Sequence, residues 1–190
     1  ELNAAVRVAE HGLTLGEDKG RLAVWLRDLA WDAGLGEVAL RAGLVGFHAS
    51  PSLEAYLSIQ KMSADRWPEF QGALLGHLRR ARTCTSAQVA VFLHEGLLDD
   101  AIAAVDKNGW YDDIKRVMDA VLEHRPEWVI QMAQKQVGRI VEPGRAKYYH
   151  HAVNWLERAR DAYEIAGREA DWQSHTDQTN QEPPVTCGIL

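Results

Sequence analysis

The residues best suited to chemistry in this sequence lie in a basic stretch at 135–160, where six lysines and arginines outnumber two glutamates. Two tyrosines and a tryptophan are interleaved with them, a combination that can follow a nucleic-acid backbone and stack its bases. The same stretch also suits an acidic protein partner or a helix face that is simply solvated. It predicts an anion or nucleic-acid site at Lys135, Arg139, Arg145, Lys147, His151, Arg158 and Arg160.

Cys84 is the residue whose neighbours most resemble those of a reactive nucleophile. It follows Arg79, Arg80 and Arg82 and comes just before a predicted helix start. Nearby positive charge and a helix N-terminus both lower the pKa of a thiol. The alternative is a small, partly buried thiol without chemistry.

Histidine and cysteine spacing predicts no metal site. His150 and His151 are adjacent, so on a helix their side chains point about 100° apart and are poor joint ligands. Cys84 and Cys187 are too few for a thiolate zinc site or a disulfide framework. We therefore expect no metal and no cofactor in this chain.

Paired carboxylates occur twice, at Asp99-Asp100 and at Asp112-Asp113. Each pair opens a predicted helix, where a carboxylate complements the helix dipole and accepts hydrogen bonds from free N–H groups. Neither a nucleophile elbow nor a phosphate-binding loop occurs. The sequence therefore predicts a non-enzymatic protein, although a helical enzyme with an unrecognised site remains an alternative.

The elements that must position these residues are helices, because apolar residues recur every three or four positions and alternating β-branched runs do not occur. This spacing predicts an all-α fold. The predicted helices are 2–11, 20–33, 36–47, 52–62, 67–80, 85–95, 97–107, 111–124, 127–141, 146–166 and 168–174.

Four glycines, Gly12, Gly34, Gly96 and Gly167, each follow a predicted helix and precede another. Only glycine adopts the left-handed backbone of a helix C-cap at little cost, so each glycine predicts the end of one helix. Recurring helical hairpins predict an α-solenoid of degenerate tetratricopeptide-like repeats. A compact, irregular helical bundle is the alternative architecture.

The helix predicted at 146–166 carries an apolar stripe of Tyr149, Ala152, Leu156, Ala159, Tyr163 and Ala166, which Trp155 widens. A polar stripe of Lys147, His151, Asn154, Arg158 and Asp161 follows another face. We expect the seven tryptophans to dominate packing where helices cross.

Composition divides the chain into a helical-repeat domain at 1–173 and a polar tail at 174–190. The tail contains no lysine or arginine, and its Pro183-Pro184 pair forbids regular helix. It is expected to be flexible or foreign to the domain. The chain begins at Glu1 without a methionine, so we expect it to be a piece of a larger protein.

Two segments carry a family resemblance. The first is AKYYHHAV at 146–153, followed by Trp155-Leu156 and Ala162-Tyr163, and the second is FLHEGLLDDA at 92–101. They resemble the C-terminal helical region of bacterial SWIM-type zinc-finger proteins, over most of residues 1–172. The resemblance implies a zinc motif in a separate N-terminal segment that serves nucleic-acid or protein binding. No zinc ligand is carried onto this chain.

The resemblance has a further limit, because such proteins would continue past Trp172 with a basic helix, whereas this chain enters the polar tail. Helical repeats usually offer a binding surface. The function predicted from the sequence is therefore a protein-interaction scaffold domain of a larger zinc-finger protein. The alternative is an accessory nucleic-acid-binding region using the basic stretch.

Composition bears on partners and location as well. The net charge of −6 argues against a general polyanion binder. No stretch approaches the roughly 18 apolar residues that span a membrane, and the few cysteines suit a reducing compartment. We expect a protein partner, no membrane association and a cytoplasmic location.

Overall fold

The computed structural model describes residues 2–15, 19–141 and 149–174, and every regular element in these ranges is helical. The all-α prediction is confirmed. Residues 169–174 are also helical, and Ala64–Arg66 form one 3-10 turn. The helices are α1 (Leu2–Leu15), α2 (Lys19–Asp32), α3 (Gly36–Ala49), α4 (Leu53–Ser63), α5 (Trp67–Arg79), α6 (Ser86–His94), α7 (Leu98–Asp106), α8 (Tyr111–Val121), α9 (Pro126–Val141) and α10 (Tyr149–Ile165).

Three of the four glycines predicted to end helices do so. Gly34, Gly96 and Gly167 have φ of 73°, 68° and 64°. At Gly34 the next residue, Leu35, donates its N–H to the carbonyl of Ala30 (2.8 Å), and Gly34 donates to Trp31 (3.0 Å). Gly96 and Gly167 have the same pair of bonds, which satisfies carbonyls that the helix end would leave free.

The prediction of a helix end at Gly12 is wrong, since Gly12 lies inside α1. Its lack of a side chain serves packing instead: a Cβ atom at Gly12 would come within 3.0 Å of Leu22 Cδ2 on α2. A glycine needed for close approach and a glycine needed for a left-handed turn look the same in a sequence. Three of the four glycines on which the predicted repeat was based therefore end helices. The tetratricopeptide-like solenoid stays a prediction.

The chain divides into two compact units, Glu1–Val117 and Met118–Leu190. In the first unit α3 packs between α2 and α4, and α4 also packs on α5 and α6. Its core contains the fully buried side chains of Phe47, Tyr56 and Phe92. Tyr56 donates a hydrogen bond to Glu95 Oε1 (2.9 Å), and Gln71 Nε2 donates to Glu95 Oε2 (2.7 Å). This carboxylate joins α4, α5 and the end of α6.

In the second unit α9 and α10 pack along each other. Trp155 is 1% exposed, and Ala152, Ala159 and Tyr163 are buried with it. Most of the predicted apolar stripe of α10 is therefore confirmed, but its centre lies nearer Trp155 because Leu156 is only half-buried. The largest side chain takes the most enclosed position.

Candidate functional site

The predicted basic site divides between two helices of the second unit. Lys135 and Arg139 lie four residues apart on α9, and both side chains are exposed. His151, Arg158 and Arg160 lie on α10, where His151 is half-buried. Arg145 and Lys147 lie outside the residues that the structure describes.

The α10 arginines are already engaged by carboxylates. Arg158 donates from Nε and a terminal nitrogen to the two oxygens of Asp119 at 2.7 and 3.1 Å, and its side chain is only 18% exposed. A terminal nitrogen of Arg160 lies 2.9 Å from Asp161 Oδ1. Arg160 also interacts electrostatically with Glu157 and Glu164. A phosphate approaching either arginine would have to compete with these acids.

Trp155 contributes no stacking platform to this stretch, because its ring is buried against the unit's core. Stacking requires an exposed aromatic face. The polar stripe predicted on α10 is also half-buried at His151, Asn154, Arg158 and Asp161 rather than freely solvated.

Cys84 does not have the properties of a reactive thiol and agrees with the alternative of a buried thiol without chemistry. Its side chain is buried, and burial, followed by the charge of Asp113, raises its pKa. A thiol with a raised pKa carries little thiolate at neutral pH. Of the three arginines before Cys84, Arg79 is directed elsewhere, because it donates to both oxygens of Asp100 at 2.9 and 2.7 Å.

The carboxylate pairs lie in the first turns of α7 and α8, as predicted. The hydrogen bonds from Arg79 lower the pKa of Asp100, which is the opposite of what a general acid needs. Asp113 is buried and accepts a hydrogen bond from Ser86 Oγ (2.7 Å), so it fixes the start of α6 near α8. Both carboxylates have structural partners.

A groove in the first unit has the shape of a binding site. It is an open hollow of about 730 Å³, within the size range of ligand pockets. A smaller hollow of about 140 Å³ shares Arg27 and Asp28 with it and extends it along α2 and α4. We call the two together the α2–α4 groove. It is lined by Gly20, Arg21, Val24, Trp25, Arg27, Asp28 and Trp31 of α2, by Ala42, Gly43, Gly46 and Phe47 of α3 and Ser50 after it, and by Ser52 and by Glu54, Ala55, Ser58, Lys61 and Met62 of α4.

The floor of the groove is α3, which has glycines at two positions where it packs against α2 and α4. A Cβ atom at Gly46 would come 3.4 Å from Ala23 Cβ, and one at Gly43 would come 2.9 Å from Met62 Cε. A side chain at Gly43 would therefore require the flexible Met62 side chain to move, whereas a methyl group at Gly46 would make van der Waals contact with Ala23. Besides the two glycines, the floor contains Ala42 and the ring of Phe47.

The walls expose large apolar side chains. Trp25 is 50% exposed, Trp31 41% and Val24 43%. The ammonium group of Lys61 lies 5.7 Å from the centre of the Trp31 ring, a cation–π contact that connects α4 with α2. Arg27 Nε lies 2.7 Å from Asp28 Oδ1, so this pair neutralises itself within the groove.

The groove was not predicted from the sequence, because the tryptophans were expected to pack where helices cross. Trp25, Trp31 and Trp110 are instead exposed, Trp110 by 74%. The signal that could have found the groove is on α2, where Arg21, Trp25, Asp28 and Trp31 share one helical face. A face that mixes tryptophan with charged residues is not an ordinary core stripe.

No protein-family model, curated protein or solved structure matches this chain. The resemblance to SWIM-type zinc-finger proteins therefore stays a hypothesis. Within the described ranges, each helix is too short or too polar to cross a bilayer. The same residues bring together no cluster of three His, Cys, Asp or Glu side chains that could hold a metal ion.

Proposed function

We propose that this chain is a non-enzymatic protein-interaction domain that binds its partner in the α2–α4 groove. The observation that carries the proposal is the pair of exposed tryptophans, Trp25 and Trp31, that line one wall of an open groove over α3. Within the proposal, the chain is a cytoplasmic, tetratricopeptide-like region of a larger zinc-finger protein of the SWIM type.

The energetic case rests on the apolar surface that these tryptophans leave in water. A tryptophan that is 50% exposed, as Trp25 is, has roughly 100 Å² still to bury. At about 25 cal/mol per Å², its burial by a partner contributes about 2–3 kcal/mol. Tryptophan is among the residues most often found to dominate binding energy at interfaces. Two of them in one groove are enough to anchor a peptide segment.

The alternative function, an accessory nucleic-acid-binding region, relies on the exposed pair Lys135 and Arg139. Two cations four residues apart on one helix face can contact neighbouring phosphates. The engagement of Arg158 and Arg160 by carboxylates and the burial of Trp155 favour the groove as the binding surface.

The test is a selection of random 14-residue peptides displayed on phage, with the purified chain as bait. We expect enriched peptides whose affinity falls at least tenfold with Trp25→Ala or Trp31→Ala. The matched control is Trp110→Ala, which removes an exposed tryptophan outside the groove and is expected to leave affinity unchanged. Failure to enrich any peptide, or equal loss with all three variants, would contradict the proposal.

A second experiment tests the alternative function, nucleic-acid binding, separately from peptide binding in the groove. Binding of single- and double-stranded oligonucleotides is measured at about 50 and 200 mM salt, the range over which phosphate contacts weaken most. We expect no binding at the lower salt concentration. Binding that collapses with salt and is lost with Lys135→Ala/Arg139→Ala would favour the nucleic-acid function instead.

A further inference from the structure

The α2–α4 groove has two ends that differ in their side chains. The starts of α2 and α4 meet at one end, which contains Arg21 and Glu54. The ends of the same helices meet at the other, which contains Trp31 and Lys61. The two walls therefore run in the same direction. From Arg21 to Trp31 the α2 wall rises about 15 Å, which is close to three turns of a helix.

The shape of the groove suits a helix better than an extended segment. Two helices over a third leave a trough in which another helix can pack with its own backbone hydrogen bonds complete. An extended peptide would bring unpaired N–H and C=O groups against the apolar walls. The ranges that the structure describes contain no strand to which an extended peptide could add.

The lining of the groove has a small excess of positive charge. It contains three cations and the two carboxylates of Asp28 and Glu54, a formal net charge of +1, whereas the whole chain has a net charge of −6. Arg27 is held by Asp28. Arg21 and Lys61 form no ion pair with any residue in the described part of the chain, and they lie at opposite ends of the trough. Both are exposed. The Lys61 ammonium group lies 5.7 Å from the centre of the Trp31 ring, and a partner's carboxylate can bind it on the side away from that ring.

We infer that the partner of the groove is an amphipathic α-helix of about three turns, with an apolar stripe that packs between Trp25 and Trp31 and carboxylates that pair with Arg21 and Lys61. The inference rests on the proposed function and adds the chemistry of the partner to it. Its specificity comes from the two cations, and its affinity comes from the two tryptophans.

The peptides enriched in the phage selection described above test the inference directly. We expect apolar residues at positions i, i+3 or i+4, and i+7, with aspartate or glutamate flanking the stripe. The strongest peptide is then synthesised in three forms: unchanged, with its acids replaced by amides, and with a proline in the middle turn. We expect the amide form to bind the full chain about tenfold more weakly, and the proline form to lose binding.

Charge reversal in the chain gives the complementary measurement. The double variant Arg21→Glu/Lys61→Glu should lower the affinity of the acidic peptide at least tenfold, and added salt should reduce that difference. The control, Arg82→Glu, makes the same kind of change at an exposed residue outside the groove and should have little effect. Circular dichroism of each variant checks that the fold is intact.

The outcomes separate this inference from the function on which it rests. Enriched peptides that depend on Trp25 but are basic, or lack a helical period, would overturn the acidic helix and leave the groove as the binding site. Unchanged affinity in the charge-reversed variant would overturn the role of Arg21 and Lys61. No enrichment at all would remove the proposed function together with the inference.

Discussion

The α2–α4 groove and the basic stretch on α9 and α10 contain the same kinds of residue, tryptophan and arginine, in opposite arrangements. In the groove the tryptophans are exposed and Arg21 is available to a partner. In the basic stretch Trp155 is buried and Arg158 is held by Asp119. A cation or an aromatic ring thus indicates binding only when the fold leaves it unsatisfied.

The largest expected effect separates the two tryptophan environments. Trp155→Ala should lower the free energy of unfolding of the second unit by about 3–5 kcal/mol, since it empties a site that is 1% exposed. Trp25→Ala should cost less, about 1–2 kcal/mol, because only half of that side chain is buried. Chemical denaturation measures both. Equal losses would mean that Trp25 is a core residue and the groove is not an open site.

A smaller effect compares two glycines under the same substitution. Gly34 has φ of 73° with no atom within 4 Å of its Cβ position, so Gly34→Ala should cost about 1–2 kcal/mol through the backbone alone. Gly138 lies exposed in α9 with equal space, and Gly138→Ala should stabilise by up to about 1 kcal/mol. Calorimetric melting of both variants gives the signs. Stabilisation by Gly34→Ala as well would contradict the left-handed turn at Gly34.

The smallest effect concerns the pairing of the basic stretch. A double-mutant cycle of Arg158→Ala and Asp119→Ala should give a coupling of about 0.5–1 kcal/mol in unfolding free energy, because the two bonds are bidentate and Arg158 is only 18% exposed. The cycle for Arg160 and Asp161, whose side chains are 58% and 46% exposed, should give a coupling near zero. If Arg158 shows no coupling, it is available to ligands, and the contrast with the groove weakens.

Much of the fold could be predicted from the sequence because local signals agree with each other. Apolar spacing predicts each helix seen in the described residues, and the glycines at 34, 96 and 167 end helices as expected. The error at Gly12 has a physical reason: its role is to admit Leu22 of another helix. Such a role depends on a long-range contact that no local pattern contains.

The site was harder to predict than the fold. The basic stretch was found from charge, but the sequence could not show that Asp119, 39 residues before Arg158, would be its partner. The groove was missed because a tryptophan in a helical pattern is compatible with both core and surface. The two walls and the floor of the groove come from three successive helices. Only the packing of these helices brings Arg21 and Lys61 to opposite ends of the same groove.

The sequence by itself determined the helices and their glycine ends, because hydrogen bonding within a helix and the left-handed turn depend on neighbours a few residues away. Tertiary structure alone decided which tryptophan is buried and which arginine is paired. Burial and ion pairing depend on what other helices place beside a residue, and at Trp25 and Arg21 the packing of α2, α3 and α4 leaves an open surface.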